Sequence, residues 1–111
     1  SEIFKKFTPN SCAMETTFVN KDVAAALKLG QARGVALIPP AKAGIKVFEY
    51  APRLIKKTVV GSGNADKNQV KTMIQFQLPG IKIENNDASD AIGVALCHAF
   101  HYNYYKKANK L

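Results

Sequence analysis

The stretch that decides the fold is the alternating run Ile45-Lys46-Val47-Phe48-Glu49-Tyr50, which predicts a β-strand. An earlier apolar run from Ser11 to Thr17 predicts another strand, with Glu15 as its one charge. The segment between the two runs is long enough for a helix. Two strands joined through a helix form a right-handed crossover, so we expect these strands to be parallel.

The connecting segment carries the marks of a helix that begins after Asp22, a good N-cap residue. Its spacing predicts a helix to about Ile38, where Pro39-Pro40 should end it. Apolar residues follow helical spacing at Val23, Leu27, Ala32, Val35 and Ala36.

Three further helices are predicted after the second strand. Pro52 begins the first of them, and Gly61-Ser62-Gly63-Asn64 ends it; we interpret this Gly-x-Gly as a turn. Asp66 can cap the next, which runs to about Leu78, and the last spans roughly Asp87 to Tyr105. The buried stripe predicted for the last helix consists of Ala88, Ala91, Ile92, Ala95, Leu96 and Ala99.

The predicted order is therefore strand–helix–strand–helix–helix–helix, an α/β pattern of parallel strands with flanking helices. At 111 residues we expect one domain, 1–111. A two-stranded parallel sheet does not stand alone, because parallel strands are normally covered on both faces. We therefore expect further strands before Ser1 or a partner that completes the sheet.

Composition restricts the class of protein. Hydrophobic residues make up 47% and charged residues 22%, which is typical of a globular chain. The net charge of +8 favours a polyanionic partner such as nucleic acid, although a generally basic protein has the same composition. No apolar run of about 18 residues occurs, so we expect no membrane association and a cytoplasmic location. Cys12 and Cys97 lack CxxC spacing, which disfavours zinc and indicates core residues in a reducing compartment.

Three acidic residues are candidate metal ligands. Asp87 and Asp90 are three apart and share one face of a helix. With Glu15 they could hold two divalent cations for hydrolysis of a phosphodiester. On spacing alone, an N-cap followed by an acidic third residue is the more ordinary explanation for the aspartates. A charge inside a short strand is costly unless it is paired or ligating, although a strand end could expose Glu15.

The chain resembles RuvC-type Holliday junction resolvases from Cys12 to about His101. The segments that carry the resemblance appear in the family's order: AMETTFVNK (13–21), ALKLGQARGVA (26–36), VFEYAPR (47–53), KKTVVGSG (56–63), ADKNQV (65–70) and DASDAIGVALCH (87–98). The LGQARG stretch joined to VVGxG is specific to these proteins. The resemblance implies an RNase H-like fold and a homodimeric, Mg²⁺-dependent endonuclease, with Mn²⁺ as a substitute ion, that cuts four-way junction DNA. It also implies a branch-migration helicase complex as a partner.

The resemblance assigns roles to the acids. Glu15 matches the second of the family's four carboxylates, and Asp87 and Asp90 match the third and fourth. The first lies in a Gly-Ile-Asp-Pro-Gly motif that these 111 residues do not contain. We therefore expect the chain to lack the family's first three strands and most of its first helix, and to have little or no nuclease activity by itself. The alternative function is a binding module that holds branched DNA without cutting it.

The resemblance also suggests residues that contact DNA. Phe18 matches an aromatic residue near the junction centre, where it could stack on a base, although a core aromatic would look the same. Lys56 and Lys67 match basic residues near the active site that bind phosphate, although each could simply be a solvated lysine. Weaker candidates for backbone contact are Arg33, Lys21 and Lys57. We expect no metal role for His98 and His101, which lie more than about 10 Å along the helix from the acids.

Overall fold

The computed structural model describes residues 6–7, 9–16 and 23–107. The strands and complete helices within these ranges are β1 (Cys12–Glu15), α1 (Val23–Lys42), β2 (Val47–Tyr50), α2 (Pro52–Val60), α3 (Lys67–Gln77) and α4 (Asn86–Lys107). This confirms the order that the sequence predicts. The chain forms two compact units, Ser1–Glu49 and Tyr50–Leu111. One domain over residues 1–111 stays a prediction.

The two strands pair in parallel, as the crossover rule predicts. The backbone N–H of Cys12 donates to the carbonyl of Lys46 over 3.2 Å, immediately before β2 begins. Each strand is four residues long, so both are shorter than the apolar runs that predict them. The β-propensity of a residue indicates only that it favours an extended backbone. The length of a strand also depends on how far the neighbouring strand continues to form hydrogen bonds with it.

The predicted end of α1 near Ile38 is wrong. The helix continues through Pro39-Pro40 to Lys42, and the carbonyl of Pro40 accepts from the N–H of Ile45 over 2.9 Å. Gly44, at a φ of 69°, takes the left-handed position that closes such an end. Proline lacks an N–H but keeps its carbonyl and a helical φ, so in a last turn it still accepts the capping bonds.

In the second unit, α2, α3 and α4 pack against one another. The ends of α2 and α3 confirm the sequence signals. Pro52 stands in the first turn of α2 and Gly61, at a φ of 98°, ends it. Asp66 forms a capping box with Gln69 at the start of α3. The buried apolar side chains are Tyr50, Ile55, Val59, Ala65, Ile74, Val94 and Cys97.

The buried stripe predicted for α4 is partly wrong. Ala88, Ile92 and Leu96 are half-buried, but Ala91, Ala95 and Ala99 are exposed. The helix instead buries a face of small residues, spaced four apart at Ser89, Gly93 and Cys97. A Cβ added at Gly93 would lie 3.6 Å from Cγ2 of Ile55, so small residues let α4 approach α2 closely. Alanine is only weakly hydrophobic, so its positions do not fix which face packs.

Candidate metal and nucleic-acid-binding site

The start of α4 carries the two aspartates of the predicted site. The side chain of Asn85 caps this helix, since its Oδ1 accepts from the N–H of Ala88 over 2.7 Å. Asp87 lies inside the first turn and Asp90 in the second, and both are exposed. The interpretation of Asp87 as the N-cap is therefore wrong. Both carboxylates remain on the surface at the positive end of the helix dipole.

Glu15 is the last residue of β1 and is half-buried. A strand end is where a charged side chain can reach a site without losing its hydration completely. Glu15 belongs to the first compact unit and the aspartates to the second. Among residues 6–7, 9–16 and 23–107, no three His, Cys, Asp or Glu side chains are grouped closely enough to hold a metal ion. The three-acid metal site therefore stays a prediction.

The predicted DNA-binding lysines lie on α2 and at the start of α3. Lys56 is half-buried and Lys57 exposed, whereas Lys67 is the exposed first residue of α3. The structure thus places Lys56 and Lys57 side by side on one helix, with Lys67 on the next. Their contact with DNA stays a prediction.

The other three DNA-binding candidates lie in the first unit. The guanidinium of Arg33 forms an ion pair with Glu49, an interaction that the sequence did not indicate. A phosphate would have to compete with that carboxylate for Arg33, and its DNA contact stays a prediction. Phe18 and Lys21 lie outside the described residues.

The two histidines of α4 make internal contacts. Nδ1 of His98 lies 2.7 Å from the hydroxyl oxygen of Tyr50. Nδ1 of His101 lies 2.8 Å from the carbonyl oxygen of Cys97, so the proton of that nitrogen points to the helix backbone. Burial lowers the pKa of His98, and the nearby His101 lowers it further.

The sequence predicts both cysteines as core residues, and the structure confirms this for Cys97 only. Cys97 is fully buried and its thiol donates to the hydroxyl of Thr58 over 3.7 Å, whereas Cys12 is half-buried. Burial raises the pKa of both thiols, and for Cys97 the hydrogen bond with the Thr58 side chain opposes the shift. A raised pKa lowers the fraction of thiolate, so both thiols are weaker nucleophiles than an exposed cysteine.

Comparison with known proteins identifies the family. The model of the family described as crossover junction endodeoxyribonuclease RuvC matches residues 1–98. The chain belongs to the RuvC family. A RuvC of Cereibacter sphaeroides is 54% identical over 101 residues, which cover 91% of this chain and 60% of the relative. A RuvC of Brucella anthropi is 45% identical over 111 residues, covering 100% of this chain and 64% of the relative. The chain thus spans about 60% of the length of the curated RuvC relatives that it matches.

Solved RuvC structures agree with this assignment. Thermus thermophilus RuvC in complex with a Holliday junction substrate is 33% identical, with a TM-score of 0.83 over 91% of this chain and 62% of that one. Another structure of Thermus thermophilus RuvC has a TM-score of 0.79 and 30% identity over 98% of this chain. These likenesses confirm the α/β, RNase H-like fold that the resemblance implied. Among the described residues, no helix is both long and apolar enough to cross a membrane.

Two residues near the predicted DNA-binding lysines escaped the reasoning from sequence. Nη1 of Arg53 donates to Oδ1 of Asn64 over 3.0 Å, so this arginine of α2 holds the turn that precedes α3. The only signal in the sequence was the Gly-x-Gly, which indicated a turn but not its partner. Sequence spacing cannot show which side chain a turn packs against.

Proposed function

We propose that this chain is the greater part of a metal-dependent endonuclease that resolves Holliday junctions in DNA recombination and repair. Membership of the RuvC family and the likeness to a RuvC bound to junction DNA support this proposal. The observation that carries it is the pair Asp87 and Asp90, which lie exposed on the first two turns of α4 while Asn85 caps the helix. Carboxylates that are not needed for capping are available for a cation.

The donor chemistry of this pair fits a hard divalent cation such as Mg²⁺ or Mn²⁺, since such ions prefer carboxylate oxygens. Asp87 and Asp90 would hold the ion from α4, and Glu15 would add a ligand from β1. A bound ion would activate the attacking water and stabilise the leaving oxygen. Lys56 and Lys67 would bind backbone phosphates of the junction and orient the scissile bond.

We propose that these 111 residues alone cut DNA poorly. Two divalent cations carry a charge of +4, whereas Glu15, Asp87 and Asp90 supply only −3. A missing ligand disturbs the position of the ions, and small misplacements cost about a hundredfold in rate. Incubation of the chain with a four-way junction and Mg²⁺ should therefore give no more than trace cleavage, measured on a denaturing gel. Rapid symmetric nicking by the chain would contradict this.

The catalytic role of Glu15 is testable in a chimera that joins this chain to the N-terminal segment of the Cereibacter sphaeroides relative. The chimera should cut junctions with Mg²⁺, and Glu15→Gln should lower the rate at least about a hundredfold because a ligand is lost. Junction affinity should stay within about twofold, since no phosphate contact is removed. The control is Glu84→Gln, an exposed acid ahead of α4, which should cut normally.

If Glu15→Gln leaves the chimera's cleavage unchanged, Glu15 is not a ligand. If the chimera binds junctions but never cuts them, the alternative of a non-cleaving branched-DNA-binding module is correct.

DNA binding by the chain itself is testable through its salt dependence. Each phosphate contact contributes about 0.9 to the slope of log affinity against log salt concentration. Lys56→Gln and Lys67→Gln should each lower that slope by about 0.9, measured by fluorescence anisotropy with a labelled junction. Lys107→Gln makes the same charge change about 30 Å along α4 from Asp87 and should leave the slope unchanged. Equal effects of all three variants would exclude a localised site.

We also propose that the protein is a homodimer that pairs through α1. The inward side of α1 is formed by half-buried Arg33 and Leu37 and by buried Pro40. A different side carries a stripe of exposed residues at heptad-like spacing: Val23, Leu27, Gly30, Gly34 and Ile38. The two glycines have open space above them, so a second helix could approach closely there. A branch-migration helicase complex is a further proposed partner, by family resemblance.

Leu27 is the direct test of the dimer, because its side chain is 63% exposed on this stripe. Leu27→Gln should shift the chain towards monomer in sedimentation velocity, since it removes apolar area from the interface. Lys28→Gln, beside it, should not. Monomeric wild-type chain at all accessible concentrations would contradict the proposal.

A further inference from the structure

The turn between α2 and α3, residues 61–66, is held closed by its own hydrogen bonds. The N–H of Gly61 donates to the carbonyl of Lys57 over 2.9 Å. The N–H of Asn64 donates to Oγ of Ser62 over 3.3 Å, and the N–H of Ala65 to the Ser62 carbonyl over 3.3 Å. The side chain of Ala65 is buried in the core of this unit. The turn therefore has a defined shape.

Arg53, in the first turn of α2, fastens this turn to the helix. Nη1 of Arg53 donates to Oδ1 of Asn64 over 3.0 Å. The rest of the side chain lies over Gly63, where an added Cβ would be 3.1 Å from Cγ of Arg53 and 3.3 Å from its Nε. Real Cβ atoms are rarely so close to a neighbour, so glycine at 63 is what lets the arginine lie there.

The position of this turn determines where Lys67 stands. Asp66 is the N-cap of α3, and its capping box with Gln69, with bonds of 2.8 and 2.9 Å, fixes the first helical turn. Lys67 is the next residue. On α2, Lys56 follows Arg53 by three residues and so shares its face. The contact of Arg53 with the turn thus links the two predicted phosphate-binding lysines.

The turn itself is a poor candidate for a phosphate site. The carboxylate of Asp66 already accepts from the backbone N–H of Gln69, so a negative charge occupies the N-terminus of α3. A phosphate there would meet like charge. The arginine, in contrast, has its fork directed at Asn64 and its stem over Gly63. This arrangement suits a residue that holds another group in place.

We propose that Arg53 is a positioning residue, which holds Gly63 and Asn64 against α2 and so sets the separation of Lys56 and Lys67 at which both bind the backbone of junction DNA. This inference rests on the proposed function. Arg53 makes no phosphate contact itself. Replacing Arg53 removes a phosphate contact because the lysines that it positions lose their proper separation.

Arg53→Lys and Gly63→Ala test the proposal in the full chain, by anisotropy with a labelled four-way junction at several salt concentrations. Arg53→Lys keeps the charge but loses the planar fork. Gly63→Ala keeps every charge and forces the Arg53 side chain to shift by a few tenths of an ångström. Each should weaken binding about tenfold and lower the salt slope by about 0.9, as Lys67→Gln does. Gly80→Ala, at a loop glycine with open space around it, is the control and should bind as the wild type does, in spite of its φ of 85°.

Double variants separate positioning from the alternatives. In a Lys67→Gln background, neither Arg53→Lys nor Gly63→Ala should weaken binding further, because the contact that they position is already absent. Fully additive losses, or wild-type binding by both single variants, would overturn the inference. Circular dichroism identifies a variant that unfolds. In that case Asn64→Ala, which removes only the hydrogen-bond acceptor of Arg53, is used in its place. If the wild-type chain shows no salt-sensitive binding, the proposed function is wrong. If the wild type binds and only Lys67→Gln weakens binding, the proposed function stands and the positioning role of Arg53 is wrong.

Discussion

The hydroxyl oxygen of Tyr50 lies 2.7 Å from Nδ1 of His98, and this contact joins the last residue of β2 to α4. Tyr50 is 4% exposed, and its ring also lies 5.6 Å from that of His101. With neutral His98 protonated at Nε2, the phenol donates to Nδ1. Tyr50, the first residue of the second unit, is thereby held against the helix that carries both candidate metal ligands.

Tyr50→Phe should lower the free energy of unfolding by about 1 kcal/mol, because it removes one partly buried hydrogen bond while keeping the ring. Urea denaturation followed by circular dichroism measures the change. The matched control is the same substitution in a His98→Ala background, where this bond is already absent and the cost should be smaller. An equal cost in both backgrounds would show that the hydroxyl stabilises through another partner.

The stability of the protein should fall in mildly acidic solution because of His98. Burial and the neighbouring His101 hold its pKa below the ordinary 6.5, so the unfolded chain binds the proton more readily than the folded one. The contribution of neutral His98 is complete above pH 6.5 and is lost progressively as the pH falls from 6.5 towards the folded pKa. Denaturation at a series of pH values should show this decline, and His98→Asn should flatten it. Parallel curves for the two proteins would contradict the assignment.

Asn85 and Asp87 should have separable roles. Asn85→Ala removes the side-chain cap of α4 and should cost about 1 kcal/mol in unfolding free energy. Asp87→Asn removes only a first-turn charge and should cost at most about 0.5 kcal/mol at moderate salt. Thermal unfolding compares the two. If Asp87→Asn were the more destabilising variant, the aspartate would be structural and its role as a metal ligand would lose its support.

Gly93 should tolerate alanine although it is buried. An added Cβ would meet Cγ2 of Ile55 at 3.6 Å, which is ordinary van der Waals contact. Glycine inside a helix costs about 1 kcal/mol relative to alanine, so Gly93→Ala should stabilise the chain by up to about that amount. Ala95→Gly, at an exposed position of the same helix, measures the backbone contribution and should cost about 1 kcal/mol. A melting temperature of Gly93→Ala below that of the wild type would show that α2 and α4 cannot move apart to admit the methyl group.

Predictions from the sequence were correct where the residues that indicate a structure also stabilise it directly. Asp66 with Gln69 three residues later predicts a helix start, and the structure contains that capping box. They failed at Pro39-Pro40, because a proline's effect depends on whether its missing N–H falls in the middle or the last turn of a helix. They also failed for Asp87, since a cap two residues earlier, at Asn85, fits the same local pattern.

The candidate acids and lysines rest on the resemblance to a known family, whereas the order of the elements and the turn residues could be determined from local sequence patterns alone. The latter two features arise from backbone preferences and hydrophobic periodicity, which act over a few residues. Only the tertiary structure decided that α4 packs through Ser89, Gly93 and Cys97, that Arg33 pairs with Glu49 and that Arg53 lies on Gly63. Such contacts depend on how closely two surfaces pack in space. Local sequence patterns do not indicate which residues distant in the chain will meet.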